Sequence, residues 1–215
     1  MSDPAWLDRL AHDLRGPLGP IQTAAELLGM DALGADQQRE LIEMIRRQSR
    51  VLARMIDELA DWTSIERGRL LGPRETCDLD WLLETAAAAL GQERAARIVL
   101  PQPQPQAVLL HVDPRRLVQA FATMLSVRLE QQSEAPLRMA LALPGDGMVQ
   151  IRFGDPIDMR GHEPPPLGTA SSTPDGLGLS TVIAAAIVTA HQGTATWEGP
   201  AQARTLVCSL PLARG

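Results

Sequence analysis

Lysine and asparagine are both absent from the 215 residues. All 20 lysine-plus-arginine positions are therefore arginine, a bias read as genome composition alone. The missing asparagine removes one neutral oxygen donor that a hard cation such as Mg²⁺ can use. Cysteine is scarce: Cys77 and Cys208 fall in expected strands far apart in sequence, form no metal motif, and read as small buried hydrophobes of a reducing compartment. No apolar run approaches the length of a membrane span. The Met1 end has neither a basic n-region nor an apolar h-region, so a cytoplasmic location is expected. A formal net charge of -6 argues against nucleic acid or an anionic membrane as the main partner. The length suffices for one large domain or two small ones, each with its own core.

What is present is concentrated near the start. In His12-Asp13-Leu14-Arg15-Gly16-Pro17-Leu18 an imidazole is followed at once by a carboxylate. Imidazole is largely neutral and nucleophilic at cellular pH, and a neighbouring carboxylate is a proton acceptor. His12 and Asp13 are thus the candidate catalytic residues.

The segment sits in an amphipathic stretch. Trp6, Leu10, Leu14, Leu18, Ile21, Ala25 and Leu28 recur at steps of three and four, the core stripe of a helix from Pro4 to about Met30. Pro17 is expected to interrupt and kink it. Gly29 to Ala35 supplies a turn, and Asp36 is expected to cap a second helix carrying Leu41, Ile45, Leu52, Ile56, Leu59 and Ile65 and stopping around Gly68. A two-helix hairpin cannot bury its stripe alone, so two copies forming a four-helix bundle are expected.

The periodicity changes after Gly72-Pro73, which separates a hairpin domain at 1–70 from a second domain at 74–215. In the latter, strands are expected at Thr76–Asp78, Arg97–Leu100, Val108–Val112, Thr194–Glu198 and Thr205–Leu210, and helices at Leu79–Leu90, Pro114–Glu130 and Leu179–His191. A hairpin from Leu137 to Gly154 is expected to turn at the two residues Asp146-Gly147. The Pro-Gln alternation at 101–106 reads as an extended connector, and a Pro/Gly/Ser/Thr-rich loop runs from Pro156 to Asp175. Helices interleaved with antiparallel pairs make an α+β two-layer sandwich.

The residues from His12 to Leu18 resemble the H-box of sensor histidine kinases, in which the histidine carries a phosphoryl group. Met55-Ile56-Asp57-Glu58-Leu59-Ala60-Asp61, followed by Ile65-Glu66-Arg67-Gly68, is similar to the end of the second helix in the same family. The resemblance covers almost the whole chain. It implies a HisKA-type dimerisation and phosphotransfer hairpin followed by a Bergerat-type (HATPase) two-layer sandwich. Asp113-Pro114-Arg115-Arg116-Leu117-Val118-Gln119 resembles the entry to the family's N-box helix, Gly176-Leu177-Gly178-Leu179-Ser180 its second glycine box, and His191-Gln192-Gly193 the His-Gly-Gly that follows.

Within that frame the nucleotide chemistry departs from the pattern. The resemblance places two asparagines at Thr123 and Val127, the second holding the Mg²⁺ that bridges the ATP phosphates, and valine offers no oxygen. Asp155-Pro156-Ile157-Asp158-Met159 keeps the adenine-reading aspartate of an Asp-x-Gly-x-Gly motif and loses both glycines. Asp155, Gly176 and Gly178 are the candidate cofactor-binding residues, each also readable as an ordinary turn or loop residue. Tight binding of a cofactor is not expected, and ATP with Mg²⁺ is expected to bind weakly at most. His111, His162 and His191 have no metal-ligand spacing, so no metal site is assigned. Arg46, Arg50 and Arg54 read first as a solvated helix face and alternatively as a docking surface for an acidic receiver domain. These features imply phosphoryl transfer through His12 to or from a response regulator receiver domain. An ATP-dependent autokinase and a non-catalytic scaffold for a regulator or another kinase stand as alternatives.

Overall fold

A computed structural model describes residues 4–30, 33–132, 135–159, 167–168 and 176–213. The chain divides into two compact units, Met1–Thr63 with Ala170–Leu179, and Ser64–Thr169 with Ser180–Gly215.

In the first unit, helix α1 (Pro4–Leu28) runs unbroken through Pro17 and Pro20. The interruption expected at Pro17 does not occur: each proline removes one backbone donor, and the rest of the ladder carries the helix through. Pro17 is itself buried, along with Ala24, while Leu18 of the expected stripe is 40% exposed. Helix α2 (Ala35–Glu66) starts one residue before the expected cap, so Asp36 lies in its first turn and does not cap it. Gln37 Oε1 instead accepts from the Gly34 N–H at 3.1 Å, half of a capping box. Asp36 pairs with Arg39 at 2.7 Å on the open surface, a contact of less than about 1 kcal/mol. At the far end Gly68 adopts φ +63°. Its N–H donates to Ile65 O, and that of Arg69 to Ser64 O, both at 2.9 Å, which is a Schellman stop. Val51 and Met55 of α2 are buried, whereas Ile42 and Ile56 are 41% and 59% exposed.

The second unit is built from β1 (Glu75–Asp78), α3 (Leu79–Ala88), α4 (Gln92–Ala95), β2 (Ile98–Val99), β3 (Leu109–Val112), α5 (Pro114–Gln131), β4 (Leu137–Ala142), β5 (Met148–Ile157), α6 (Ser180–Ala190), β6 (Thr194–Glu198) and β7 (Arg204–Pro211). β1 and β3 form an antiparallel pair; the main sheet has the order β2-β4-β5-β7-β6, antiparallel except for β2 with β4. Alternation along the two central strands decides which face is covered. Val149, Ile151 and Phe153 oppose Leu210, Cys208 and Leu206 in register, and all six are buried, so one face of the sheet carries the core. Leu117, Phe121, Met124 and Leu125 of α5 and Ile183 and Ile187 of α6 are buried as well, and the Phe121 and Phe153 rings lie 5.9 Å apart in a tilted pair. Complete burial pushes the Cys208 thiol up to about 12, so it is an inert core group.

Two local expectations need correction. The β4–β5 connection is not a two-residue turn: 143–147 separate the strands, with Gly145 and Gly147 both left-handed at φ +88° and +79°. β5 also continues past Gly154 to Ile157, with a register shift between Phe153 and Ile157. That bulge requires glycine, since Gly154 has φ +85° and an added Cβ would meet Leu137 and Arg128.

A buried histidine ties the sandwich together. Asp113 caps α5 by accepting from the Arg116 N–H at 3.1 Å, and its other oxygen accepts from the Gly72 N–H at 2.7 Å. The Asp113 N–H donates to His191 Nε2 at 2.9 Å, which fixes the proton on Nδ1, 2.8 Å from Ile187 O. Burial holds His191 below its ordinary pKa of 6.5. The unfolded chain therefore takes up this proton at a higher pH than the folded one. The contribution is complete above pH 6.5 and is lost as the pH falls below it. Thermal melts are expected to show a falling Tm between about pH 7 and 5. His191→Leu should cost about 1–3 kcal/mol at neutral pH by orphaning the Asp113 N–H, and its melts should lose this share of the acid dependence. An unchanged acid slope in the variant would contradict the assignment.

Candidate functional site

His12 and Asp13 are both exposed on α1. Adjacent helical residues project in different directions, yet both side chains reach a single cavity of about 400 Å³ in the first unit, lined also by Gly16, Gln48, Met55 and Leu177. Gly16 lies one turn after His12 on the same face. A Cβ placed there would meet nothing within 4 Å, so the space beside the imidazole is open to an incoming group. An exposed nucleophile with a carboxylate on the rim of the same cavity can accept a phosphoryl group from a donor that enters it.

Gly176 lines this cavity too, and it brings in a residue that the sequence reading did not single out. Glu58 of α2 is only 7% exposed, and its carboxylate accepts from the Leu177 N–H at 2.7 Å and from the Leu179 backbone. Burial raises its pKa, against the lowering effect of the two backbone bonds and of Arg54. A Cβ on Gly176 would lie 3.1 and 3.2 Å from the two carboxylate oxygens, and Gly178 has φ +69°. Both glycines thus serve close approach and a left-handed turn. The available signal was an acid on the buried line Val51, Met55, Glu58, at helical spacing.

Asp155 lies in the second unit, on β5, with an exposed side chain. The Thr123 hydroxyl donates to Gln119 O at 3.1 Å, and Val127 one turn on is aliphatic and half-buried. The next residue, Arg128, is fully buried. Its Nε donates to Phe153 O at 2.6 Å and its Nη2 to Asp155 O at 2.7 Å, and the guanidinium lies 5.5 Å from the Trp197 ring. Desolvation lowers its pKa, partly opposed by the Asp155 charge. The end of β5 is therefore clamped by a buried cation. A cation in line with Leu117, Phe121 and Leu125 on the apolar face of α5 was the signal for it.

A second cavity, of about 490 Å³, is lined by Arg74, His111, His191 and Gln192 among others. His191 is committed to the Asp113 network, and Arg74 donates to Ala190 O at 2.8 Å, so this cavity holds none of the residues assigned to the chemistry. His162 lies outside the described residues. Among the described residues, no helix is long and apolar enough to cross a membrane.

Residues 5–68 match the His Kinase A (phospho-acceptor) domain family. The chain is similar to Sensor protein KdpD of Escherichia coli (strain K12), 27% identical over 201 residues that cover 89% of this chain and 22% of the relative. It is also similar to Sensory/regulatory protein RpfC of Xanthomonas campestris pv. campestris (strain 8004), 26% identical over 211 residues, 88% of this chain and 28% of that one. Sensor protein EvgS of Escherichia coli (strain K12) is 23% identical over 141 residues, 64% of this chain and 12% of its own length. The chain thus spans between 12% and 28% of these curated relatives. Among solved structures, Acinetobacter baumannii histidine kinase AdeS superposes with a TM-score of 0.64 at 18% identity, covering 94% of this chain and 98% of that one. Histidine kinase ThkA in complex with response regulator protein TrrA gives 0.66 at 15%, covering 98% and 62%. Residues 5–68 thus carry the match to a phospho-acceptor domain, and the fold of the chain, a helical hairpin followed by an α/β sandwich, is one it shares with these solved histidine kinases.

Proposed function

We propose that the chain is a phosphohistidine carrier in a His-Asp phosphorelay, acting in the cytoplasm as a homodimer, with a sandwich that does not bind Mg-ATP tightly. The open cavity at His12, within a phospho-acceptor domain, carries this reading. An imidazole nitrogen attacks the phosphorus of a receiver's aspartyl phosphate. The P–O bond to the aspartate breaks as the N–P bond forms, the carboxylate leaves, and the proton on the ring passes to Asp13. The reverse reaction returns the phosphoryl group to a receiver. The solved neighbour ThkA was captured with a response regulator, which supports a receiver as the partner class.

Dimerisation is supported by the apolar surface that one hairpin leaves open at Leu18, Ile42 and Ile56. Light scattering of a 1–68 fragment should read two copies, and a monomer would contradict it.

The residues present do not fit a Mg²⁺-bridged nucleotide: Val127 has no ligand oxygen, and the amides of Leu177 and Leu179 are occupied by Glu58. Calorimetric titration of the intact chain with Mg-ATP is expected to give no binding or binding in the millimolar range. Micromolar affinity, with label transferred from ATP to His12, would replace this reading by the autokinase one.

A further inference from the structure

Segments with glycine that lead into a helix present backbone N–H groups able to hold a phosphate. Gly176–Leu179, which leads into α6 in sequence, is such a segment, yet the N–H groups of Leu177 and Leu179 are already spent on the carboxylate of Glu58. The fit is close. The Leu177 bond is 2.7 Å long, and a Cβ at Gly176 would stand 3.1 and 3.2 Å from the two carboxylate oxygens, so that a larger residue there would crowd the carboxylate. A buried carboxylate persists where hydrogen bonds replace its water, and here the replacing donors are those a phosphate would use. Arg54 and Asp61, each about one turn away on α2, are the other charged groups acting on it.

We propose that Glu58 is a built-in anionic ligand of the Gly176–Leu179 amides, an autoinhibitory contact that any phosphate chain must displace to reach them. Because the carboxylate belongs to the same chain, its effective concentration at the amides is in the millimolar range or above. A phosphate of ordinary affinity for two amides is therefore outcompeted. This inference rests on the reading that nucleotide binds weakly, and it supplies one physical cause for that weakness.

The test is calorimetry on the full chain with sodium tripolyphosphate and, separately, with Mg-ATP, for wild type, Glu58→Gln and Glu58→Ala. Wild type is expected to bind tripolyphosphate only in the millimolar range. Glu58→Ala should bind at least about tenfold tighter, as expected when a millimolar internal competitor is removed, and Glu58→Gln, which keeps the shape without the charge, should fall between them. In the tighter-binding variants the amide resonances of Leu177 and Leu179 should shift on addition of tripolyphosphate. Equal affinity in all three proteins, with Glu58→Gln shown by melting to be folded, would overturn the proposal; so would a gain in affinity that leaves those two resonances unmoved. The two readings separate cleanly. The absolute affinity of wild type for Mg-ATP tests the function proposed above, whereas the ratio between variants and wild type tests Glu58 alone.

Discussion

Replacing His12 with glutamine is expected to abolish uptake of phosphate from a phosphorylated receiver, lowering the transfer rate about a thousandfold or more. Loss of a covalent nucleophile removes the intermediate altogether, and what remains is water-level chemistry assisted only by binding. The size of the effect is interpretable because the substitution is structurally mild. His12 is exposed on α1, glutamine is a good helix former, and surface replacements of this kind change stability by no more than about 0.5 kcal/mol. Stopped-flow or quenched assays with a labelled receiver, paired with thermal melts, would measure both. A variant that melts like wild type and still takes up phosphate at the wild-type rate would remove His12 from the mechanism.

The second large effect lies one turn further along. The resemblance to the H-box puts threonine or asparagine where this chain has Gly16, a position whose side chain holds the water that hydrolyses the receiver's aspartyl phosphate. Glycine cannot orient a water, so wild type is expected to be a poor phosphatase. The structure leaves room for the missing group, since a Cβ at Gly16 would meet nothing within 4 Å and the residue lines the His12 cavity. Gly16→Thr should therefore raise release of inorganic phosphate from the phosphorylated receiver by about a hundredfold, the scale on which small errors of positioning act. Its stability should rise by a few tenths of a kcal/mol, because glycine is the weaker helix former. Rapid hydrolysis by wild type, matched by His12→Ala, would mean that another group performs the reaction.

Much of this organisation was legible in the residues because it depends on local chemistry. The step-of-three-and-four stripe marks α1 and α2, Asp113-Pro114 marks the start of α5, and Val149, Ile151 and Phe153 alternate as a half-covered strand must. The H-box places His12 without any tertiary information. What stayed hidden is set by partners distant in sequence. Glu58 and Leu177 are 119 positions apart, and Arg128 reaches carbonyls 25 and 27 residues away; helical spacing places each on an apolar face, but only the fold supplies its partner. The cap at α2 was misplaced because a glycine served by the side chain of Gln37 outweighs the usual preference for Asp36. The β4–β5 turn was misjudged because Gly145 is left-handed as well as Gly147, which opens a longer loop. The stripe on α1 was shifted because Pro17 and Ala24, two small apolar groups outside it, are the ones that pack inside the hairpin.

The most direct measurement divides the source of phosphate from its acceptor. The intact protein is incubated in parallel with a labelled phosphoreceiver and with labelled Mg-ATP, and the phosphorylated residue is mapped by mass spectrometry under conditions that preserve N-linked phosphate. Phosphate on His12 in the receiver arm, with none in the ATP arm, is the predicted result. Label on His12 from ATP alone, or an unmodified His12 in both arms, would contradict it.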